Sequence, residues 1–138
     1  MRIKRLGVIG AGTMGAGIAA LAASAGVPVV LLDVPATEGD PSSTAKKGLE
    51  RQLKARPPAF MDVERAALIR TGNTRDDLKQ LGGCDLVIEA IIEQLEPKKA
   101  LYERLESVLA PHTIVASNTS GIPMKHLVDG RSKRFKEQ

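Results

Sequence analysis

The stretch LGVIGAGTMGAGIA, Leu6 to Ala19, places five glycines where a strand passes into a helix. Glycine is about 0.8–1.0 kcal/mol poorer than alanine inside a helix, so this concentration calls for a reason. Ile3–Ile9 reads as a short buried strand. Thr13–Ala25 reads as a helix, with Met14, Ile18, Leu21, Ala22 and Ala25 at helical spacing. Between them, Gly10-Ala11-Gly12-Thr13-Met14-Gly15 fits the pattern G-x-G-x-x-G. Alone the pattern is weak. Here a strand precedes it, a helix follows, and a second apolar run, VPVVLLD, ends in Asp33, 18 residues past Gly15.

That context assigns each residue a task. Gly10 permits the tight turn out of the strand. Gly12 removes a side chain, so the backbone can approach a pyrophosphate, and Gly15 lets the helix pack closely on the sheet. The N–H groups of Ala11, Thr13 and Met14 and the positive end of the helix suit phosphate oxygens. Asp33 suits the two ribose hydroxyls of an adenosine, and its carboxylate would repel a 2′-phosphate. The next residue is Val34 rather than an arginine, so NAD is expected over NADP. Gly17 lies outside this fingerprint; close packing on the sheet is the expected reason for it.

Outward from this unit, strand and helix signals alternate. CDLVIEAI (Cys84–Ile91) and HTIVASNTS (His112–Ser120) read as further strands, and RTGN (Arg70–Asn73) as a short strand with its turn. A helix between the first two carries Leu101, Leu105, Val108 and Leu109 on one face, with Pro97 expected at its first position. Thr74–Leu81 reads as a short helix closed by Gly82 and Gly83. The alternation predicts an α/β fold of the Rossmann type, a doubly wound parallel sheet with helices on both faces. All 138 residues are expected to form one domain. An inserted helical arm is expected at about 42–70, after the second strand. Ser42 or Ser43 would cap its first helix, Arg56-Pro57-Pro58 would end it, and Asp62 would cap a second. Thin apolar stripes suggest that this arm stands off the core. RSKRFKEQ, residues 131–138, shows no clear element and reads as a truncated tail.

Composition bounds the function. The chain is 43% hydrophobic and 26% charged, ordinary for a globular domain. No apolar run approaches the roughly 18 residues of a membrane span, and the basic start shows no signal-peptide pattern. Cys84 is the only cysteine, which excludes an internal disulfide and suits a reducing compartment; a cytoplasmic protein is expected. The net charge of +4 is uneven, with basic runs at residues 41–61 and 131–138. These are solvated faces or a site for a phosphorylated partner. Two Phe, one Tyr and no Trp leave little surface for stacking bases, so nucleic acid is not expected as a partner. No metal site is expected.

A second group of residues follows the later strands. Glu89 and Glu93 lie beyond a buried strand, where open α/β sheets place ligands. Lys98 and Lys99 fall in the first turn of a helix, where a cation is disfavoured by roughly 0.3–1 kcal/mol. Either a lysine has a partner, Glu93 or a ligand, or both are plain surface lysines. Ser117-Asn118-Thr119-Ser120 forms a hydroxyl-rich turn that should reach the same cleft, unless it is only a turn.

GVIGAGTMGAGIA, DLVIEAIIEQLEPKKALYERL and HTIVASNTSG together resemble the N-terminal domain of the L-3-hydroxyacyl-CoA dehydrogenases, over essentially the whole chain. KKGLE (Lys46–Glu50) resembles the start of that family's helical arm, near the coenzyme A moiety. The resemblance implies oxidation of L-3-hydroxyacyl-CoA to 3-oxoacyl-CoA with NAD, in fatty-acid β-oxidation or butanoate metabolism. It implies Asp33 on the ribose, and Glu93 and Lys98 near the nicotinamide half. It implies Ser120 on the substrate's 3-oxygen beside the nicotinamide, with Asn118 a polar neighbour on that loop. Gln52 stands where a serine contacting coenzyme A would be, and the corresponding lysine falls in PPAF (Pro57–Phe60). The family's catalytic histidine, its orienting glutamate and a dimer-forming helical domain are expected outside this chain. His112 and His126 read as structural. The expectation is therefore an NAD-binding fragment inactive by itself, from an enzyme that is a homodimer and takes an acyl-CoA. The alternatives are a stand-alone NAD-binding regulatory module and another oxidoreductase with a similar cofactor domain.

Overall fold

The computed structural model describes residues 2–55 and 63–138. Its strands are β1 (Leu6–Ile9), β2 (Val29–Asp33), β3 (Ile69–Asn73), β4 (Leu86–Glu89) and β5 (Ile114–Ser117). They form one sheet in the order β3-β2-β1-β4-β5, with every neighbouring pair parallel. The helices are α1 (Thr13–Ser24), α2 (Ser43–Leu53), α3 (Leu95–Val108), α4 (Met124–Leu127) and α5 (Lys133–Lys136). Two 3-10 segments, Val63–Leu68 and Leu78–Gly83, precede β3 and β4. The strand order reverses between β1 and β4, the switch point at which doubly wound sheets bind ligands.

The apolar runs form strands because both of their faces are covered. Leu6 and Val8 of β1 and Val29 and Leu31 of β2 pack with Ala19, Ala20 and Ala23 of α1. Ile9, Val30, Leu32 and Val87 face the other way, onto Leu81 and onto Leu101, Tyr102 and Leu105 of α3. The side-chain period of two thus sorts each strand between two cores.

Several local expectations are corrected. The buried face of α1 is Gly15, Ala16, Ala19, Ala20 and Ala23, while Met14 is 57% and Leu21 72% exposed. The glycine loop brings α1 too near the sheet for large side chains, so its small residues turn inward. A Cβ at Gly17 would meet nothing within 4 Å, so close packing does not explain that glycine. The segment after β2 begins with a helix, but α2 does not stand off. Ala45 is fully buried, and a Cβ at Gly48 would lie 2.8 Å from the Ala11 Cβ. A narrow small-residue stripe docks α2 where a wide apolar one is absent. Ser42 does not cap it with its side chain; the Ser42 hydroxyl accepts from Asn73 Nδ2 at 3.2 Å. The expected Arg56-Pro57-Pro58 stop and Asp62 cap lie outside the described residues. Pro97 is the third residue of α3 rather than the first, still among the positions whose N–H has no helical partner. The expected helix at Thr74–Leu81 is the 3-10 segment that contains Gly82 and Gly83.

Residues 131–138 are docked. Ser132 caps α5 by accepting from Phe135 N at 3.2 Å. Phe135 is 3% exposed, its ring 5.9 Å from that of Tyr102. Val115 N donates to Gln138 O at 3.0 Å, and Gln138 Nε2 donates to Ala110 O at 2.7 Å. No helix among the described residues is long and apolar enough to cross a membrane, and they hold no cluster suited to a metal ion.

Candidate functional site

At the switch point, Gly10 N donates to Leu32 O at 2.7 Å, and Ala90 N to Ile9 O at 2.7 Å. Gly10 has φ +107°, and a Cβ there would lie 2.6 Å from the Ala90 carbonyl carbon, so only glycine fits. A Cβ at Gly15 would collide with the Gly10 carbonyl oxygen. The third glycine of the motif thus admits the first one's backbone as well as the sheet. A Cβ at Gly12 would meet nothing within 4 Å. Gly10 and Gly12 border a cleft of about 530 Å³ whose wall also includes Asp33, Val34, Thr74, Ile91, Pro97, Ala100 and Arg104. Thr13 and Met14 are exposed on the first turn of α1.

Asp33 ends β2 on this cleft. Its Oδ2 accepts from Ala11 N at 2.7 Å and its Oδ1 from Val34 N at 2.6 Å. The carboxylate therefore ties the glycine loop to the end of the second strand. Arg104 donates to the Thr74 carbonyl across the cleft wall. No feature of the sequence pointed to Arg104 or Thr74.

Glu93, Lys98 and the 117–121 loop form a second cluster, outside that cleft lining. Lys98 is 1% exposed, and its Nζ lies 2.9 Å from Glu89 Oε2 and 3.1 Å from Glu93 Oε2. The unfavourable helical position did signal a partner; there are two, and the second is Glu89. Fully buried, Glu89 also accepts from Ser117 Oγ at 2.8 Å, Tyr102 OH at 3.2 Å and Ile91 N at 2.9 Å. Burial pushes the Tyr102 phenol well above its ordinary range. Glu93 Oε1 accepts from the Thr119 hydroxyl and from Gly121 N at 3.1 Å and Ser120 N at 3.3 Å. The Thr119 and Gly121 hydrogen bonds, with Lys98, hold the Glu93 carboxyl down to about 2. Asn118 N donates to Glu89 O at 2.8 Å, and the side chains of Asn118 and Ser120 are exposed.

The structure thus sets Gly10, Gly12 and Asp33 in the wall of one cleft, with Ala11 buried and bonded to Asp33 and Gly15 buried against the Gly10 carbonyl. It brings Glu93, Lys98 and Ser120 together beside it, Glu93 following Ile92, an exposed residue of the cleft wall. Tyr102 escaped the sequence reading as a member of the second group, and Ser117, expected there as part of the hydroxyl-rich turn, bonds Glu89 rather than facing the cleft. Neither histidine lines the cleft. His112 lies 3.5 Å from Asp85, just before β4 and so at the opposite sheet end, while His126 is exposed on α4. On the α2 side, Lys47, Glu50, Arg51 and Lys54 line a shallow hollow of about 590 Å³. Arg51 Nη2 donates to Ala11 O at 2.8 Å, and Lys46 pairs with Asp40.

Residues 5–136 match the family model described as 3-hydroxyacyl-CoA dehydrogenase, NAD binding domain. The chain is 52% identical to a probable 3-hydroxyacyl-CoA dehydrogenase of Deinococcus radiodurans, over 100% of this chain and 40% of that protein. It is 38% identical to the mitochondrial hydroxyacyl-coenzyme A dehydrogenase of Rattus norvegicus, over 96% of this chain and 44% of that one. The crystal structure of 3-hydroxybutyryl-CoA dehydrogenase from Escherichia coli K12 superposes with a TM-score of 0.76 at 31% identity. That match covers 97% of this chain and 28% of the other. The chain spans less than half the length of these relatives. It belongs to the NAD-binding domains of the 3-hydroxyacyl-CoA dehydrogenases.

Proposed function

We propose that this chain supplies the NAD site of an enzyme that oxidises L-3-hydroxyacyl-CoA to 3-oxoacyl-CoA, in fatty-acid β-oxidation or butanoate metabolism. One observation carries the reading. The glycine turn and Asp33 line one cleft at the switch point, and the loop bearing Asn118 and Ser120 stands beside it.

When bound, NAD supplies the hydride acceptor. In this reading Gly12 lets the backbone meet the pyrophosphate, and the N–H groups of Ala11, Thr13 and Met14 face its oxygens. Asp33 takes the adenosine ribose, exchanging its Ala11 and Val34 hydrogen bonds for ribose hydroxyls. Glu93 lies toward the nicotinamide half, and Lys98 acts there through Glu93, since its own ammonium is sealed between two carboxylates. The Ser120 hydroxyl orients the substrate's 3-oxygen, with Asn118 beside it. Lys47 and Lys54 offer cations to the phosphates of the coenzyme A moiety. Proton removal from the 3-hydroxyl needs a general base, and neither His112 nor His126 is placed for it. The reading includes a homodimer for the complete enzyme and a cytoplasmic setting, which a lone buried thiol at Cys84 suits.

The test is incubation of the chain with NADH and acetoacetyl-CoA. Binding of NADH, seen in its fluorescence, without turnover is expected. Absence of NADH binding would overturn the cofactor assignment, and sustained NADH oxidation would overturn the claim that the base is missing from this chain.

A further inference from the structure

We propose that Glu89 is the positioning residue of the nicotinamide half of this site, a role resting on the NAD reading above. Glu89 is not itself part of the cleft lining, yet every residue assigned to that half hangs from it. Its carboxylate is fully buried and collects four donors from three segments. Ile91 N comes from the loop after β4. Lys98 Nζ and Tyr102 OH come from α3, and Ser117 Oγ comes from the end of β5. Its backbone carbonyl takes Asn118 N at 2.8 Å.

The consequence runs outward in two steps. Glu89 fixes Lys98, whose Nζ then lies 3.1 Å from Glu93 Oε2. Glu93 in turn gathers Thr119, Ser120 and Gly121 through its other oxygen. The Ser117–Gly121 loop is therefore indexed at its base directly by Glu89, and at its tip through Lys98 and Glu93. A carboxylate at the hub accepts from all four donors and is the charge partner of the Lys98 ammonium, which a neutral glutamine would not be. A glutamine would present an NH₂ to part of that set. The ammonium and the Ile91 N–H cannot reverse to accept from it, whereas the two hydroxyls can.

The hub sits on the nicotinamide side and the Asp33 latch on the adenosine side, so the halves are separable by ligand. Calorimetric titration of the chain and its Glu89→Gln variant with NAD and with ADP-ribose, which lacks nicotinamide, reads each half. The hub requires that Glu89→Gln weaken NAD about tenfold or more while ADP-ribose binding stays within about twofold, the size expected for losing hydrogen bonds to a charged group. Equal loss of both ligands, or equal retention of both, would overturn it. If Glu89→Gln does not fold, Ser117→Ala decides. It keeps the buried ion pair and the Asn118 N–Glu89 O bond and cuts only the side-chain tie to the loop, and it should weaken NAD severalfold with ADP-ribose unchanged. An unchanged NAD affinity in that variant would overturn the hub. A wild-type chain that binds ADP-ribose but not NAD would also overturn it. Failure to bind either ligand would instead sink the NAD reading, and the hub with it.

Discussion

Replacing Lys98 with methionine should be the most damaging single change in the first turn of α3. The ammonium lies 2.9 Å from Glu89 Oε2, and both side chains are sealed from solvent. Removing one partner of a buried pair typically costs about 3–5 kcal/mol, because the other charge is left uncompensated. Glu89 keeps three donors, from Ile91, Tyr102 and Ser117, which places the expected loss near the lower end, about 3 kcal/mol. Against a total of about 5–15 kcal/mol for a domain, the variant should still fold. With a urea slope of about 1–3 kcal/mol/M, its unfolding midpoint should drop by about 1–3 M. The drop should persist in high salt, since buried pairs are poorly screened. Lys99→Met, one residue along and less buried, should shift stability by no more than about 0.5 kcal/mol. Adding Glu89→Gln to Lys98→Met should recover much of the loss, because no unpaired buried charge then remains. Equal midpoints for Lys98→Met and Lys99→Met would refute the reasoning.

Other expectations are as specific. Gly10→Ala forces a side chain into φ +107° against the Ala90 carbonyl, and should cost about 2–5 kcal/mol from strain and overpacking. Gly17→Ala meets nothing and should stabilise by about 0.5–1 kcal/mol; thermal melts compare the two. Glu93 is held down to about 2 in the folded chain, against 4.5 ordinarily. Its contribution is therefore complete above 4.5 and is lost as pH falls from there toward 2; acid titration of Glu93→Gln should lack that component. Phe135→Ala should cost about 3–5 kcal/mol, as for a buried aromatic. A loss under 1 kcal/mol would deny that residues 131–138 are docked.

The glycine turn was legible because its constraints are local: strand, spacing, helix and terminal acid all lie within Leu6–Asp33. The Glu93–Lys98 pairing was legible because a cation in the first turn of a helix is electrostatically out of place. The Glu89 hub was not legible as a hub. Tyr102 and Ser117 lie 13 and 28 residues away from it, and no local pattern ties a tyrosine on a helical face to a strand-end serine. The burial of small rather than large residues on α1 follows from how closely the loop seats the helix, which periodicity does not report. Docking of the tail did carry a signal. Ser132 stands three residues before Phe135, the spacing of a capped turn with an apolar anchor.

In the proposed function the glycine-loop cleft holds NAD, with Asp33 on the adenosine ribose. Calorimetric titration with NAD and NADP, on the chain and on Asp33→Ala, tests it most directly. The wild type should bind one NAD per chain, and NADP more weakly. For Asp33→Ala, NAD affinity should be lower by about tenfold or more, as for loss of hydrogen bonds to a charged group, with the preference over NADP narrowed. A folded Asp33→Ala variant that binds NAD as tightly as the wild type, with the same preference, would contradict it.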